Sequence, residues 1–263
     1  MELILYVIVL AFLFEMMDSS AGMGFGTGLT PLLFLIGYDP LQVVPILLIS
    51  EAVTGITAGI FHHEFQNVKF SIKRPITKET KIMLMIAGIG CFSIFFSVIL
   101  TYYSLKLPKD VIKAYVGILV LFMGIIGIIR LKSKVRDTYK PKLLTGFAAL
   151  AGFNKGIGAG GYGPVVMMGQ LFSGIYEKTA VAIVSLAEGF VCIVGVAAFL
   201  LISSYGVTID FVLLPSIFTG GFLAAILSPY IVRVLPNNIW KLVIPIYAIS
   251  MGILTLLKVF LPQ

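Results

Sequence analysis

The chain has 263 residues, of which 59% are hydrophobic and 12% charged, with a formal net charge of +7 and a mean hydropathy of +1.06. Soluble domains carry about 25% charged and roughly 45–50% apolar residues. A water-soluble core of this size cannot conceal so much apolar surface, so the composition excludes a soluble domain and makes lipid the solvent.

In chain order, the first apolar region runs from Leu3 to Ile36 and is interrupted by Glu15, by Asp18-Ser19-Ser20 and by a glycine series. Met1 to Phe14 reads as mature protein, because no basic segment or small-residue cleavage pattern marks it for removal. Spans of bilayer length, about 20 apolar residues, follow at 42–62, 82–103 and 110–131. A second broken region, Leu143 to Phe172, is interrupted by Asn154-Lys155 and another glycine series, and spans recur at 178–203, 209–232 and 238–260. Cys91 and Cys192 lie inside apolar runs, where a thiol acts as a small hydrophobe.

The two broken regions align. Ser20 to Gly26 matches Asn154 to Gly160, Pro31 and Pro164 follow, Tyr38-Asp39 resembles Tyr176-Glu177, and Glu51 falls near the counterpart of Glu188. The expected fold is therefore an all-α integral membrane protein of two inverted-topology repeats. Residues 1–135 form the first repeat, 136–142 a basic cytoplasmic linker, and 143–263 the second. Each repeat is a broken, glycine-rich helix hairpin followed by three full transmembrane helices, eight to ten membrane segments in all.

Lys69, Lys73, Arg74, Lys78 and Lys81 crowd one loop, and Arg130, Lys132, Lys134, Arg136, Lys140 and Lys142 the other. Such short basic loops follow the positive-inside bias, which makes both cytoplasmic and both termini external. No aromatic interleaving accompanies the charge, so no nucleic-acid partner is expected.

The glycine clusters carry the chemistry. A helix broken inside the membrane must hide its backbone against protein or a wet cavity. The next half-helix then begins with free amides and about half a positive charge, which attract anions. Close helix packing also uses such glycines, but their paired occurrence beside polar residues favours a site. Ser19, Ser20, Gly22, Gly24 and Gly26 from the first half are expected to bind a small anionic substrate. Asn154, Lys155, Gly156, Gly158 and Gly160 are the candidates from the second. Lys155, a cation deep in an apolar stretch, is costly and so a functional candidate, or else the partner of a carboxylate such as Asp18. Glu51, Glu188 and Asp18 are candidate proton carriers, with Glu15 a further member of the network; a neutral carboxyl or a partner for Lys155 is the plainer role.

Other motifs carry less. Gly156 to Gly161 fits a dinucleotide fingerprint but lacks its strand–helix setting. His62-His63-Glu64 lacks metalloprotease spacing and reads as an interfacial, solvated cluster, while Trp240 beside Lys241 suits the interfacial belt. No metal site or cofactor is expected, nor any nucleophile with a base, so the chain does not read as an enzyme.

Two halves, each with an apolar segment running into alternating glycines and a downstream proline, resemble the TauE/SafE family of membrane permeases, the sulfite exporters. Gly22, Gly24, Gly26, Gly28 and Pro31 carry the likeness in the first half, and Gly156, Gly158, Gly160, Gly161 and Pro164 in the second. The resemblance implies a multi-pass inner-membrane transporter for sulfite or related organosulfur and small organic anions. The expectation is a secondary active transporter working by alternating access and coupled to protons. An anion channel or a carboxylate transporter is the alternative, and homo-oligomerisation is left open.

Overall fold

Within hydrocarbon, a chain satisfies its own backbone only as helix or closed barrel. The computed structural model describes residues 3–130, 139–234 and 238–261, and among these it is helical with no strand. The helices are α1 (Leu5–Ala21), α2 (Phe25–Ile36), α3 (Pro40–Glu64), α4 (Lys78–Ser104) and α5 (Lys109–Arg130). The second half supplies α6 (Pro141–Gly158), α7 (Tyr162–Phe172), α8 (Glu177–Ser203), α9 (Leu214–Val234) and α10 (Asn238–Phe260). Lys132, Lys134 and Arg136 of the basic linker lie outside the described residues, as do the side chains of Trp240 and Lys241.

All six predicted spans fall on helices. Helices α3, α4, α5, α8 and α9 are long and apolar enough to cross a bilayer, and α10 is apolar over Pro245–Phe260. Helix α9 starts at Leu214 instead of 209, because Asp210 turns the chain first: its Oδ1 accepts the Val212 N–H at 2.9 Å.

Both predicted breaks exist, but each is shorter and later than the polar residues suggest. Helix α1 runs through Glu15, Asp18, Ser19 and Ser20 and stops only at Gly22, whose φ of +71° closes the helix with an N–H···O bond to Asp18 at 2.6 Å. Helix α6 likewise runs through Asn154 and Lys155 and stops at Ala159, with φ of +55°. A left-handed residue ends a helix, whereas polar side chains on its buried face do not. Lys155 therefore sits in the last turn of α6, and the Gly156–Gly158 amides lie inside that helix instead of opening the next one.

Contacts fix which ends lie together. On one side, the Ile4 N–H donates to Ser216 Oγ at 2.8 Å and Gln42 Nε2 to Asp210 Oδ2 at 2.8 Å. On the same side Lys109 pairs with Asp39, and Lys258 Nζ donates to the Leu35 carbonyl at 2.6 Å. On the other side, Ser173 Oγ donates to the Lys140 carbonyl at 3.2 Å, and Lys78 Nζ stands 5.1 Å from the Tyr139 ring centre. The α1–α2 hairpin thus enters and leaves on the first side and the α6–α7 hairpin on the second.

Their tips pass each other backbone to backbone. A Cβ on Gly26 would lie 1.9 Å from the Ala159 carbonyl oxygen, and one on Gly163 would lie 2.4 Å from the Gly22 carbonyl oxygen. Helix α1 packs on α9 as α6 does on α4, and α3 packs on α9 as α8 does on α4, while α3–α8 and α5–α10 pair directly. Exchanging each helix for its counterpart in the other half leaves this pattern unchanged.

Candidate functional site

Where α3 crosses α8, both helices present glycine. A Cβ on Gly55 would stand 2.7 Å from the Ser185 carbonyl oxygen and 2.9 Å from the Gly189 amide nitrogen. Small residues let helix backbones approach closely in a membrane, and here the approach brings Glu51, one turn before Gly55, beside Glu188. The last turn of α6 adds the third member. Lys155 Nζ lies 2.5 Å from Glu51 Oε2 and 2.6 Å from Glu188 Oε1, and all three side chains are at least 95% buried. An unpaired charge would be prohibitively costly here; a triad with both carboxylates on one ammonium is not.

Helix α1 brings its last two turns to the same place. Ligand oxygens of Asp18, Glu51 and Glu188 all lie within 4.8 Å of one another. Asp18 Oδ1 accepts the Phe25 N–H at 3.2 Å, so a carboxylate of the chain occupies the amide end of α2. Ser19 Oγ donates to Glu15 Oε1 at 2.7 Å, and Ser20 Oγ to the Met17 carbonyl at 3.3 Å. A chamber of about 10 Å³, room for about one water, is lined by Glu15, Asp18, Ser19, Glu51, Thr54, Gly55, Ser185 and Glu188.

The α1 tip is anchored by His62. Asn67 Nδ2 donates to the Pro229 carbonyl and lies 3.0 Å from His62 Nδ1, which must accept its second N–H. The proton is then on Nε2, which donates to the Ser19 carbonyl at 3.0 Å. His62 is fully buried, so this member of the expected solvated cluster is instead a buried strut, while His63 is half-buried and Glu64 exposed. Asn67, beyond the helix end, gave no sign of this role in sequence.

The predicted site residues divide. Lys155, Glu51, Glu188, Asp18 and Ser19 gather in one cluster, whereas Ser20 points to its own helix. Asn154 lies on another face of α6: its Oδ1 accepts from Tyr115 Oη, and its Nδ2 is buried without a partner. The glycines face protein. Gly22 packs on Met167, Gly24 on α1, Gly26 and Gly160 on each other's strand of backbone, Gly156 on Ser97 and Gly158 on Val116. The Gly161 N–H, at the start of α7, points to Thr27 Oγ1 at 3.4 Å. Thr54 and Ser185 escaped the sequence reading because a lone hydroxyl in an apolar run resembles packing. Tyr162 escaped it too; its hydroxyl is buried, unpartnered, and within electrostatic reach of Glu188 and Lys155.

The chain that builds this polar cluster between two opposed hairpins has relatives in sequence. Residues 7–256 match the sulfite exporter TauE/SafE family. The chain is 28% identical over 240 residues to "Probable membrane transporter protein YtnM" of Bacillus subtilis (strain 168), covering 86% of this chain and 74% of that protein. No solved structure gives a significant match. With nearly its whole length matched, the chain belongs to the sulfite exporter TauE/SafE family and is a multi-pass membrane transporter.

Proposed function

We propose that the protein is a secondary active transporter of a small anion in the cell membrane, with sulfite or a related organosulfur or sulfonate anion as substrate, moving by alternating access and coupled to protons. The observation that carries this reading is Lys155, a fully buried ammonium 2.5 and 2.6 Å from two carboxylates. It is the group an anion would use, and it is already claimed. A proton arriving on Glu51 or Glu188 weakens that claim and releases Lys155 to the anion. Proton and anion then bind more tightly together than apart, which is the requirement for symport. The Tyr162 hydroxyl and the Asn154 amide, both buried donors without partners, are further candidates to hold the anion once the cluster opens.

Pseudo-symmetry gives the movement. The halves are read as inverted repeats, 1–135 and 143–263, joined by the basic 136–142 segment, with their hairpins inserted from opposite sides. Rocking one half against the other exposes the cluster alternately. A chamber of about 10 Å³ is too small for an oxyanion, which suits an occluded state. The basic loops support a cytoplasmic position for the α3–α4 connection.

Reconstituted protein should take up labelled sulfite saturably, driven by an inward proton gradient and accelerated by sulfite on the opposite side. Glu51→Gln and Glu188→Gln should flatten the pH profile. Flux linear in concentration, without counterflow, would indicate a channel instead. Saturable uptake of carboxylates but not of sulfite or sulfonates would move the substrate class.

A further inference from the structure

Four carboxyls, Glu15, Asp18, Glu51 and Glu188, share a buried neighbourhood in which Lys155 is the one ammonium among the described residues. Lys155 engages Glu51 and Glu188, which leaves the α1 side of the cluster, Glu15 and Asp18, without a cation. We infer that the chamber between α1, α3 and α8 is a binding site for one dehydrated sodium ion, which serves as a second coupling cation. The inference rests on the transporter reading above.

Three independent features point to an ion. First, the free atoms are oxygens that can all accept. Glu15 Oε2, Glu51 Oε1 and Thr54 Oγ1 are buried with no hydrogen-bond partner, and all three residues line the chamber and are at least 97% buried. A cation is suited to several oxygens at once, the two carboxylate oxygens among them. Second, the hydroxyls are turned the right way. Ser19 Oγ spends its hydrogen on Glu15 Oε1, and Ser185 Oγ donates to the Val181 carbonyl at 3.1 Å, so both keep lone pairs. Third, the helix ends agree, because the chamber adjoins the last turns of α1, the negative end of that helix's dipole.

The donor set is oxygen alone, which suits a hard cation. Size and charge narrow the choice. Charge-dense carboxylate oxygens favour the smaller sodium over potassium, and a chamber with room for about one water takes the ion only once it is stripped of its own water. The Lys155 ammonium, on the other oxygen of the Glu51 carboxylate, already offsets charge that a divalent ion would need. Sodium held by Glu15, Glu51 and Thr54 draws charge from Glu51, and so loosens the same grip on Lys155 that a proton loosens.

The test needs no transport. Thermal unfolding of the detergent-purified full chain is followed while NaCl replaces choline chloride at constant ionic strength. Sodium should raise the midpoint saturably, and potassium should act like choline. Thr54→Val, nearly isosteric, should fold and require at least tenfold more sodium for half its effect, and Glu15→Gln should require still more. Identical midpoints in sodium, potassium and choline overturn the site, as does an unchanged sodium response in Thr54→Val or a greater stabilisation by micromolar calcium or magnesium. The two readings fail separately. Proton-driven, Lys155-dependent sulfite uptake without any sodium response removes the ion alone. A saturable sodium response with Lys155 irrelevant to uptake removes the anion alone.

Discussion

Gly189 faces Gly55 so closely that a Cβ built on it would lie 2.8 Å from the Ile56 amide nitrogen and 3.2 Å from the Gly55 carbonyl carbon. That contact sets the distance between Glu51 and Glu188, and so the grip on Lys155. A methyl group there forces α3 and α8 apart, and overpacking of this kind costs typically 1–3 kcal/mol. Gly189→Ala should lower the unfolding midpoint by several degrees and slow sulfite uptake. Gly88→Ala, where a Cβ would meet nothing within 4 Å, should leave both unchanged or raise stability slightly. Matching midpoints for the two variants would show that the crossing tolerates a methyl and is not what holds the carboxylates together.

Lys155 can be separated into its structural and transport roles. Lys155→Met leaves Glu51 and Glu188 buried without their cation, and breaking a buried pair by removing one partner costs about 3–5 kcal/mol. The variant should express poorly or unfold early. Combining it with Glu51→Gln and Glu188→Gln removes the stranded charge and should recover most of the lost stability. The triple variant should nevertheless bind no sulfite. Stability and uptake both returning in the triple variant would take Lys155 out of the anion path.

The sequence made the helices and the two breaks legible, because span length and glycine spacing are properties of single segments. It also marked Lys155, Glu51, Glu188 and Asp18, since any charge in hydrocarbon stands out against its neighbours. What it misplaced was the end of each broken helix. Polar residues such as Ser19 and Asn154 look like interruptions, yet a buried helix face carries them easily when their partners come from elsewhere. The partners themselves, His62 for Ser19 and Glu188 for Lys155, stand 43 and 33 residues away and come together only through tertiary packing. The glycines mislead for a related reason: Gly26 has the spacing of an anion cradle, and only the opposed hairpin reveals that Ala159 fills it.

The strut at the α1 tip should be separable from the ion cluster it supports. His62→Leu keeps the volume but takes a partner from the buried Ser19 carbonyl, a loss of about 1–3 kcal/mol, and the acceptor of one N–H from the half-buried Asn67. The midpoint should fall by an amount that Asn67→Leu alone does not reach. Hydrogen exchange should rise at α1 residues near Ser19 before it rises in α8. Uniformly faster exchange along the chain would argue that His62 supports the bundle as a whole, not the hairpin tip.

The surface offers a pH dependence with a definite sign. Asp39, just before α3, stands beside Lys109 and has Lys113 Nζ 3.5 Å away, with side-chain exposures of 34%, 65% and 17% in that order. Partial burial pushes the Asp39 carboxyl up, but the hydrogen bond and charge of Lys109, helped by Lys113, outweigh it and hold the group below the usual carboxylate range. A carboxyl lowered in the folded state stabilises it above the unfolded value, about 3.9, and loses that contribution as pH falls through the folded value. The pair is partly exposed, so solvent screening keeps its worth within about 0–1 kcal/mol. Asp39→Asn should therefore unfold slightly earlier than wild type at pH 7, and the gap should close as pH drops below about 4. Added salt should narrow the gap at pH 7 in the same way, because it screens exposed pairs. A difference that stays constant from pH 7 to pH 3, in low and high salt alike, would assign the effect to helix capping at the start of α3 instead of to the lysines.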